Sequence, residues 1–391
     1  MTIAAMLLFG ALLGAPGSAE AAEPADFVIG YLEQAGDPRY GGTRTAARYL
    51  TGALGRPYAG AETTLGEIKF HGAGAGVRFR LERERGRGAE ELLAAVERLH
   101  GAGVRFFLLD LPADLMAAIA LASRERELLL FNVSAADDEL RGRQCQPHLL
   151  HVLPSNAMQT DALAQFLIFR KWREALVLEG PSGDDKVLAD AFRRAAKRYG
   201  VRVVDSRPFT LSNDPREREQ NNVALLTQGD YDVVFVADSD GEFARSVPFS
   251  TLRPRPVVGT EGLAPLAWHW AWERHGAPQL EGRFQRTAGR PMRGVDWAAW
   301  MAVKAIAEAV QRTASADFPT LRAHLLGPDL VLDGFKGNRL SFRSWDRQLR
   351  QPILLGTHNW VVERAPIRGF LHASNNLDTL GPEERESDCR L

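Results

Sequence analysis

Apolar positions in this chain come in short blocks, separated by longer stretches in which they recur every three or four residues. Residues 27–33 (FVIGYLE), 77–83, 104–111 (VRFFLLDL) and 128–133 (LLLFNV) make the first set of blocks. Between them, residues 42–55 (GTRTAARYLTGALG), 89–100 (AEELLAAVERLH, stopped by Gly101 and Gly103) and 112–126, opened by Pro112, have helical spacing. Strands apolar along most of their length, alternating with amphipathic helices, predict a parallel sheet covered on both faces.

A second series of similar size follows. Residues 175–179 (ALVLE) predict a strand. Residues 184–199 predict a helix with Leu188, Ala191, Phe192, Ala195 and Tyr199 on one face and Gly200 at its C-terminal cap. Further strands are predicted over 201–205, 231–238 (YDVVFVAD) and 256–259, then a helix over 296–311 (DWAAWMAVKAIAEAVQ) and a β-like tail over 335–362. Two consecutive β-α series predict an α/β protein built from two Rossmann-like, doubly wound lobes.

The first residues change the setting. Residues 2–14 are apolar but too short to span a bilayer as a helix. Pro16, Gly17 and Ser18 break the run, and Ala19-Glu20-Ala21 gives an A-x-A cleavage pattern, so residues 1–21 read as an export signal. No later segment is apolar enough over sufficient length to span a membrane. The chain carries 48 Lys plus Arg against 49 Asp plus Glu. That near balance argues against a nucleic-acid partner and against a polybasic membrane surface.

Signs of chemistry are few. The glycine-rich run His71–Gly76 precedes a strand instead of joining a strand to its helix, so it is not a dinucleotide-binding turn. There is no GxxxxGK[ST] loop, no GxSxG elbow, and no CxxC or HExxH metal motif. The chain is therefore read as a binding protein, not an enzyme, with no cofactor. In open α/β sheets, ligands bind beyond the C-terminal ends of the strands. Those tips hold Glu33 and Gln34, Asp110, Ser134 to Asp137, Glu179, Asp238 to Asp240, and Thr260 with Glu261. The set is acidic, and no Arg or Lys stands at any tip. Helix capping and turn formation are the competing roles for these Asp and Ser residues. Trp268 and Trp272 share a helical face and read as core, with a cleft wall as the other reading.

FNVSAADDELRG, LLHVLPS, NAMQTDALAQFL and the helix over 296–311 resemble the type I periplasmic solute-binding proteins of ABC transporters, the branched-chain amino-acid-binding type. NVSAADDELRGRQC, FRKWRE, SFRSWDRQLRQPILL and a Cys near the C-terminus are similar to the subgroup encoded beside pyrroloquinoline-quinone-dependent alcohol dehydrogenases. The resemblance implies a monomeric periplasmic receptor that closes on its ligand and presents the closed form to a membrane permease. It implies lobes over 26–148 with 286–340 and over 149–285 with 341–375, a tail over 376–391, and crossings near 145–154, 283–293 and 340–344. It also implies ligand-binding roles for the Ser134 hydroxyl and the Ala135 and Ala136 amides. Asp110, Asp137, Asp238 and Glu261 complete the expected site. The family's Thr after the Ser-Ala pair is replaced by Asp137-Asp138-Glu139, which disfavours an α-amino acid. Two ligand classes stay open. One is a neutral or cationic organic molecule. The other is a hard cation, lanthanides included, on Asp137, Asp138, Asp238 and Asp240. The alternative to transport is an accessory or sensor protein that binds a dehydrogenase or cytochrome.

Cys145 and Cys389 are the only cysteines. With export making oxidation available and no competing thiol motif, they predict a disulfide that pins the polar tail beside a crossing between lobes.

Overall fold

The structure is a computed structural model and describes residues 23–41, 54–212 and 214–391. The export signal and, apart from residues 54 and 55, the helix expected over 42–55 lie outside the described residues.

β1 (Ala25–Gln34), β2 (Val77–Gly86), β3 (Phe106–Asp110), β4 (Leu129–Asn132) and β5 (Leu149–His151) form a parallel sheet in the order 2-1-3-4-5. Helices α1 (Tyr58–Glu67), α2 (Ala89–Gly101) and α3 (Ala113–Ala122) connect its strands. Its two faces bury different side chains because alternate residues of each strand point opposite ways. Leu32, Phe107, Leu109 and Leu130 meet Leu92 and Val96 of α2 and Met116 and Ile119 of α3. Gly30 keeps that face closed: a Cβ there would stand 2.4 Å from the Phe107 ring.

The second parallel sheet has the order 7-6-8-9, from β6 (Glu174–Glu179), β7 (Arg202–Pro208), β8 (Val233–Ala237) and β9 (Val257–Gly259). It too is covered on both faces. Helices α4 (Asn156–Phe169) and α5 (Gly183–Tyr199) pack Leu163, Phe166 and Phe192 against Val177 and Phe235. Phe209, Phe243 and Val247 cover Leu178 and Val236 behind. Ser182 and Asp185 start α5 with a reciprocal capping box, and Gly200 ends it in the left-handed conformation. The β-like tail resolves into separate pieces. β11 (Leu332–Asp333) pairs with β12 (Arg339–Leu340), while β13 (Ile353–Gly356) and β14 (Val361–Ala365) join β10 (Ala264–Leu266) in an antiparallel sheet.

Residues 267–285 do not join the second lobe as the sequence led us to expect. Trp268, Trp272 and, on α6 (Ala277–Ala288), Leu280 and Phe284 all belong to the core of the first sheet. The indoles donate to Glu281 Oε2 at 3.2 Å and to the Phe335 carbonyl at 3.1 Å, so both are core residues with satisfied N–H groups. The chain thus returns to the first lobe directly after β10. The long helix α7 (Gly294–Thr313) follows, with Trp297, Trp300, Ile306 and Val310 fully buried against Ile29, Tyr31, Leu108 and Phe131. Each such aliphatic side chain contributes roughly 1.5–3 kcal/mol.

Cys145 and Cys389 are disulfide-bonded, with Cα atoms 5.6 Å apart. The tail leading to Cys389 is fixed on the second lobe. Arg198 donates to the Gly381 carbonyl at 2.7 Å, Asp161 accepts from the Gly381 amide at 2.8 Å, and Tyr199 donates to the Thr379 carbonyl. The disulfide then joins that tail to the loop between β4 and β5 of the first sheet. Among the described residues, no helix is long and apolar enough to cross a membrane.

Candidate functional site

The turn after β4 and the ends of β8 and β9 all adjoin the start of α4, where the chain passes between lobes. The turn after β4 abuts the start of α4. Asn156 N donates to the Ala136 carbonyl at 2.8 Å and Ala157 N to Asp138 Oδ1 at 2.9 Å. Arg194 on α5 pairs with Asp138 Oδ2 at 2.5 Å. The expected site residues therefore fall into two groups on either side of this seam: Asp110 and Ser134 to Asp137 at the first sheet, Asp238 and Glu261 at the second.

The tips of the first sheet are not a bare acidic set. Asp110, with no exposed side-chain surface, accepts from Tyr40 Oη at 2.7 Å, Arg56 Nη1 at 2.9 Å and Tyr31 Oη at 3.3 Å, and faces Arg39 Nη2 at 3.5 Å. Burial, then the Asp110 charge, raises both tyrosine pKa values well above the ordinary phenol range. Glu33 is bound by Arg83 at 2.8 Å and Arg85 at 2.6 Å. Those two arginines come from β2, where parallel register sets Arg83 beside Tyr31 and Arg85 beside Glu33. The absence of Arg and Lys from the tips themselves is thus offset by arginines delivered from β2 and from the segment after β1.

The turn after β4 is occupied by its own chain. Asn132 Oδ1 accepts from the amides of Ser134 at 3.2 Å and Ala135 at 2.9 Å. Ser134 Oγ donates to the Leu111 carbonyl at 3.2 Å, and Arg39 Nη1 donates to the Ser134 carbonyl at 3.1 Å and to its hydroxyl at 3.3 Å. Asp37 clamps the same guanidinium, 2.7 Å from Nη2 and 3.0 Å from Nε. Behind the turn, buried Arg141 donates to the carbonyls of Ala135, Asp137 and Leu153 and to Gln348 Oε1, at 2.8–3.0 Å. Burial lowers its pKa to about 10. Four acceptors from three segments make Arg141 a clamp on the crossing, a role its place in DELRG does not disclose. Burial raises the pKa of Asp137, and the Arg141 charge opposes the rise.

In the second lobe, β8 and β9 end on a cavity of about 340 Å³. Leu163, Leu188, Phe235, Pro265 and Leu266 give it apolar walls, and Asn156, Gln159, Asp240, Arg245 and Glu261 stand among them. Asp238 lines it as well, yet its carboxylate points back into its own turn. Oδ1 accepts from the amides of Asp240 and Gly241 at 3.2 and 2.9 Å, and Oδ2 from those of Phe243 and Ala244 at 3.0 and 2.8 Å. Burial raises the Asp238 pKa while these amides pull it down. Asp185 likewise accepts from the amides of Ser239 at 2.6 Å and Ser182 at 3.1 Å. Glu261 Oε1 accepts from the Gly262 amide at 3.0 Å. Asp137, Asp138, Asp238 and Asp240 do not converge on a cation: among the described residues, no three His, Cys, Asp or Glu side chains are grouped to hold a metal ion.

No protein-family model and no curated protein matches the chain. Solved structures do. A branched-chain amino-acid ABC transporter periplasmic ligand-binding protein from Burkholderia xenovorans superposes with a TM-score of 0.72 at 14% identity, over 93% of this chain and 98% of that one. A solute-binding protein of an ABC transporter from Rhodopseudomonas palustris, in complex with benzoate, gives 0.64 at 12% identity, over 94% and 100%. The branched-chain amino-acid transporter substrate-binding protein of Streptococcus pneumoniae, in complex with isoleucine, gives 0.61 at 14%, over 87% and 98%. With its two parallel sheets, its strand-end cavity and these neighbours, the chain has the fold of the type I periplasmic binding proteins of ABC transporters.

Proposed function

We propose that this chain is the solute-binding component of an ABC transporter, exported to the periplasm, which captures a small organic molecule between its lobes and presents the closed form to a permease. The observation that carries this reading is the cavity at the ends of β8 and β9, beside the start of α4 where the chain enters the second lobe. A ligand seated there touches both lobes only when they close, so its binding energy is available to shift an open–closed equilibrium. The neighbours support the reading: those solved with benzoate and with isoleucine are transporter binding proteins of the same fold. The sequence resemblance supports assigning the system to pyrroloquinoline-quinone-dependent alcohol oxidation. A metal ion, lanthanides included, is the weaker choice of cargo, because Asp238 is committed to four amides and Asp138 to Arg194 and Ala157.

The test is thermal denaturation of the mature chain against alcohols, aldehydes, carboxylic acids, amines, amino acids, calcium and lanthanum. A ligand at a hundred times its Kd stabilises the native state by about 2.7 kcal/mol. Stabilisation by an organic compound is the expected result. If none stabilises the chain while it co-purifies with a dehydrogenase or cytochrome, the accessory reading replaces this one.

A further inference from the structure

Backbone amides at strand ends and helix starts are natural seats for anions, and in this chain several of the seats at the seam are filled from within. At the first sheet Asn132 takes the amides of Ser134 and Ala135, and the Ser134 hydroxyl is given to Leu111. At the second, Asp238 takes four amides of the turn after β8, and Asp185 takes those of Ser182 and Ser239. The guanidiniums near the first tips are also balanced: Arg39 lies on Asp37, Arg56 on Asp110, and Arg83 with Arg85 on Glu33.

We infer that the cleft selects an uncharged, largely apolar organic ligand, such as an alcohol or aldehyde, and rejects the corresponding carboxylate. This rests on the solute-binding reading above. A carboxylate entering the cavity would shed water while the amides of Ser134, Ala135, Ser182 and the turn after β8 already have acceptors, and a buried charge with too few partners is strongly unfavourable. The lining carries Asp240 and Glu261 beside a single cation, Arg245, so no excess of positive charge draws an anion in. An uncharged molecule meets the walls of Leu188, Phe235, Pro265 and Leu266, with Asn156 and Gln159 among them. The Asn156 amide offers both a donor and an acceptor, which suits a hydroxyl or carbonyl. The cavity is large enough for a small ring or branched chain and falls at the low end of ligand-site volumes.

The experiment is isothermal titration of the mature chain with two matched sets: benzyl alcohol, benzoate and benzylamine, then 3-methylbutan-1-ol and 3-methylbutanoate. Each alcohol is expected to bind at least about tenfold more tightly than its carboxylate, a difference of about 1.4 kcal/mol. Leu188→Trp, which fills the cavity from a half-buried position on α5, is expected to weaken alcohol binding at least about tenfold with little change in melting temperature. Asn156→Ala is expected to weaken the alcohol while leaving a hydrocarbon of the same shape, toluene, unchanged. Benzoate or benzylamine binding as tightly as benzyl alcohol, with Leu188→Trp abolishing it, overturns the inference and leaves the solute-binding reading standing. If no compound in these sets or in the broader panel binds, the solute-binding reading fails and takes the inference with it.

Discussion

Replacing Cys145 and Cys389 with serine measures what the covalent link between the tail and the first lobe contributes. The two residues are 244 apart in sequence. In the chain-entropy description, freeing a loop of that length in the unfolded state costs the native state about 5.5 kcal/mol. The folded state of the variant loses little else. The tail keeps its contacts with Arg198 and Tyr199, and Asp378 still accepts from Arg343 at 2.8 Å and Arg350 at 2.9 Å. The effect should therefore appear mainly through the unfolded ensemble, which expands and exposes more surface, so the denaturant dependence should steepen as the midpoint falls. With a urea dependence of about 3 kcal/mol per molar, the loss corresponds to a midpoint lower by roughly 2 M. Urea titration followed by circular dichroism, on the oxidised chain and on the double variant, reads both quantities. Coincident curves, with the same midpoint and slope, would refute the reasoning. They would mean that the non-covalent contacts of the tail already restrict the unfolded chain, or that the bond is absent from the folded protein.

Three further outcomes follow from the geometry. Burial, with the Arg322 charge acting in the same sense, lowers the His148 pKa from 6.5 to about 4. Its contribution to stability is thus complete above pH 6.5 and is lost as pH falls toward 4, at most roughly 3 kcal/mol. His148→Phe should flatten that limb in urea midpoints taken at stepped pH, and a profile parallel to wild type would count against it. Gly259→Ala should cost about 2 kcal/mol or more by thermal denaturation, because φ is +115° and the new Cβ would stand 2.3 Å from the Val236 carbonyl oxygen. Asp238→Ala should destabilise the chain by about 2–3 kcal/mol, since four amides of one turn lose their acceptor, two of them buried. A variant as stable as wild type that merely binds ligand less well would return Asp238 to the direct ligand contacts expected from sequence.

The contrast between Asp238 and Asp110 shows what a sequence can disclose about such a site. Both stand at the end of an apolar block, and the rule that ligands gather beyond C-terminal strand ends marks both positions. The sheets themselves are legible for the same reason: a strand buried on both faces leaves an unbroken apolar run, as in FFLLD and VVFVA. What each carboxylate does there is another matter. The acceptors of Asp238 are filled by amides two to six residues further on, so D-S-D-G already contains the capping turn as its competing role. The partners of Asp110 lie 54, 70 and 79 residues away, at Arg56, Tyr40 and Tyr31. No spacing rule connects them, because they meet only after β1 and β3 pair and Tyr40 and Arg56 come to lie at the end of β3. The placement of residues 267–285 fails in the same way. The amphipathic face of α6 says that Leu280 and Phe284 must be covered, but not which of two similar lobes covers them. An acidic tip is therefore readable from the chain, whereas the charge balance at that tip is a property of the tertiary fold. It is this balance, with arginines brought in from β2 and the segment after β1, on which the proposal of an uncharged ligand rests.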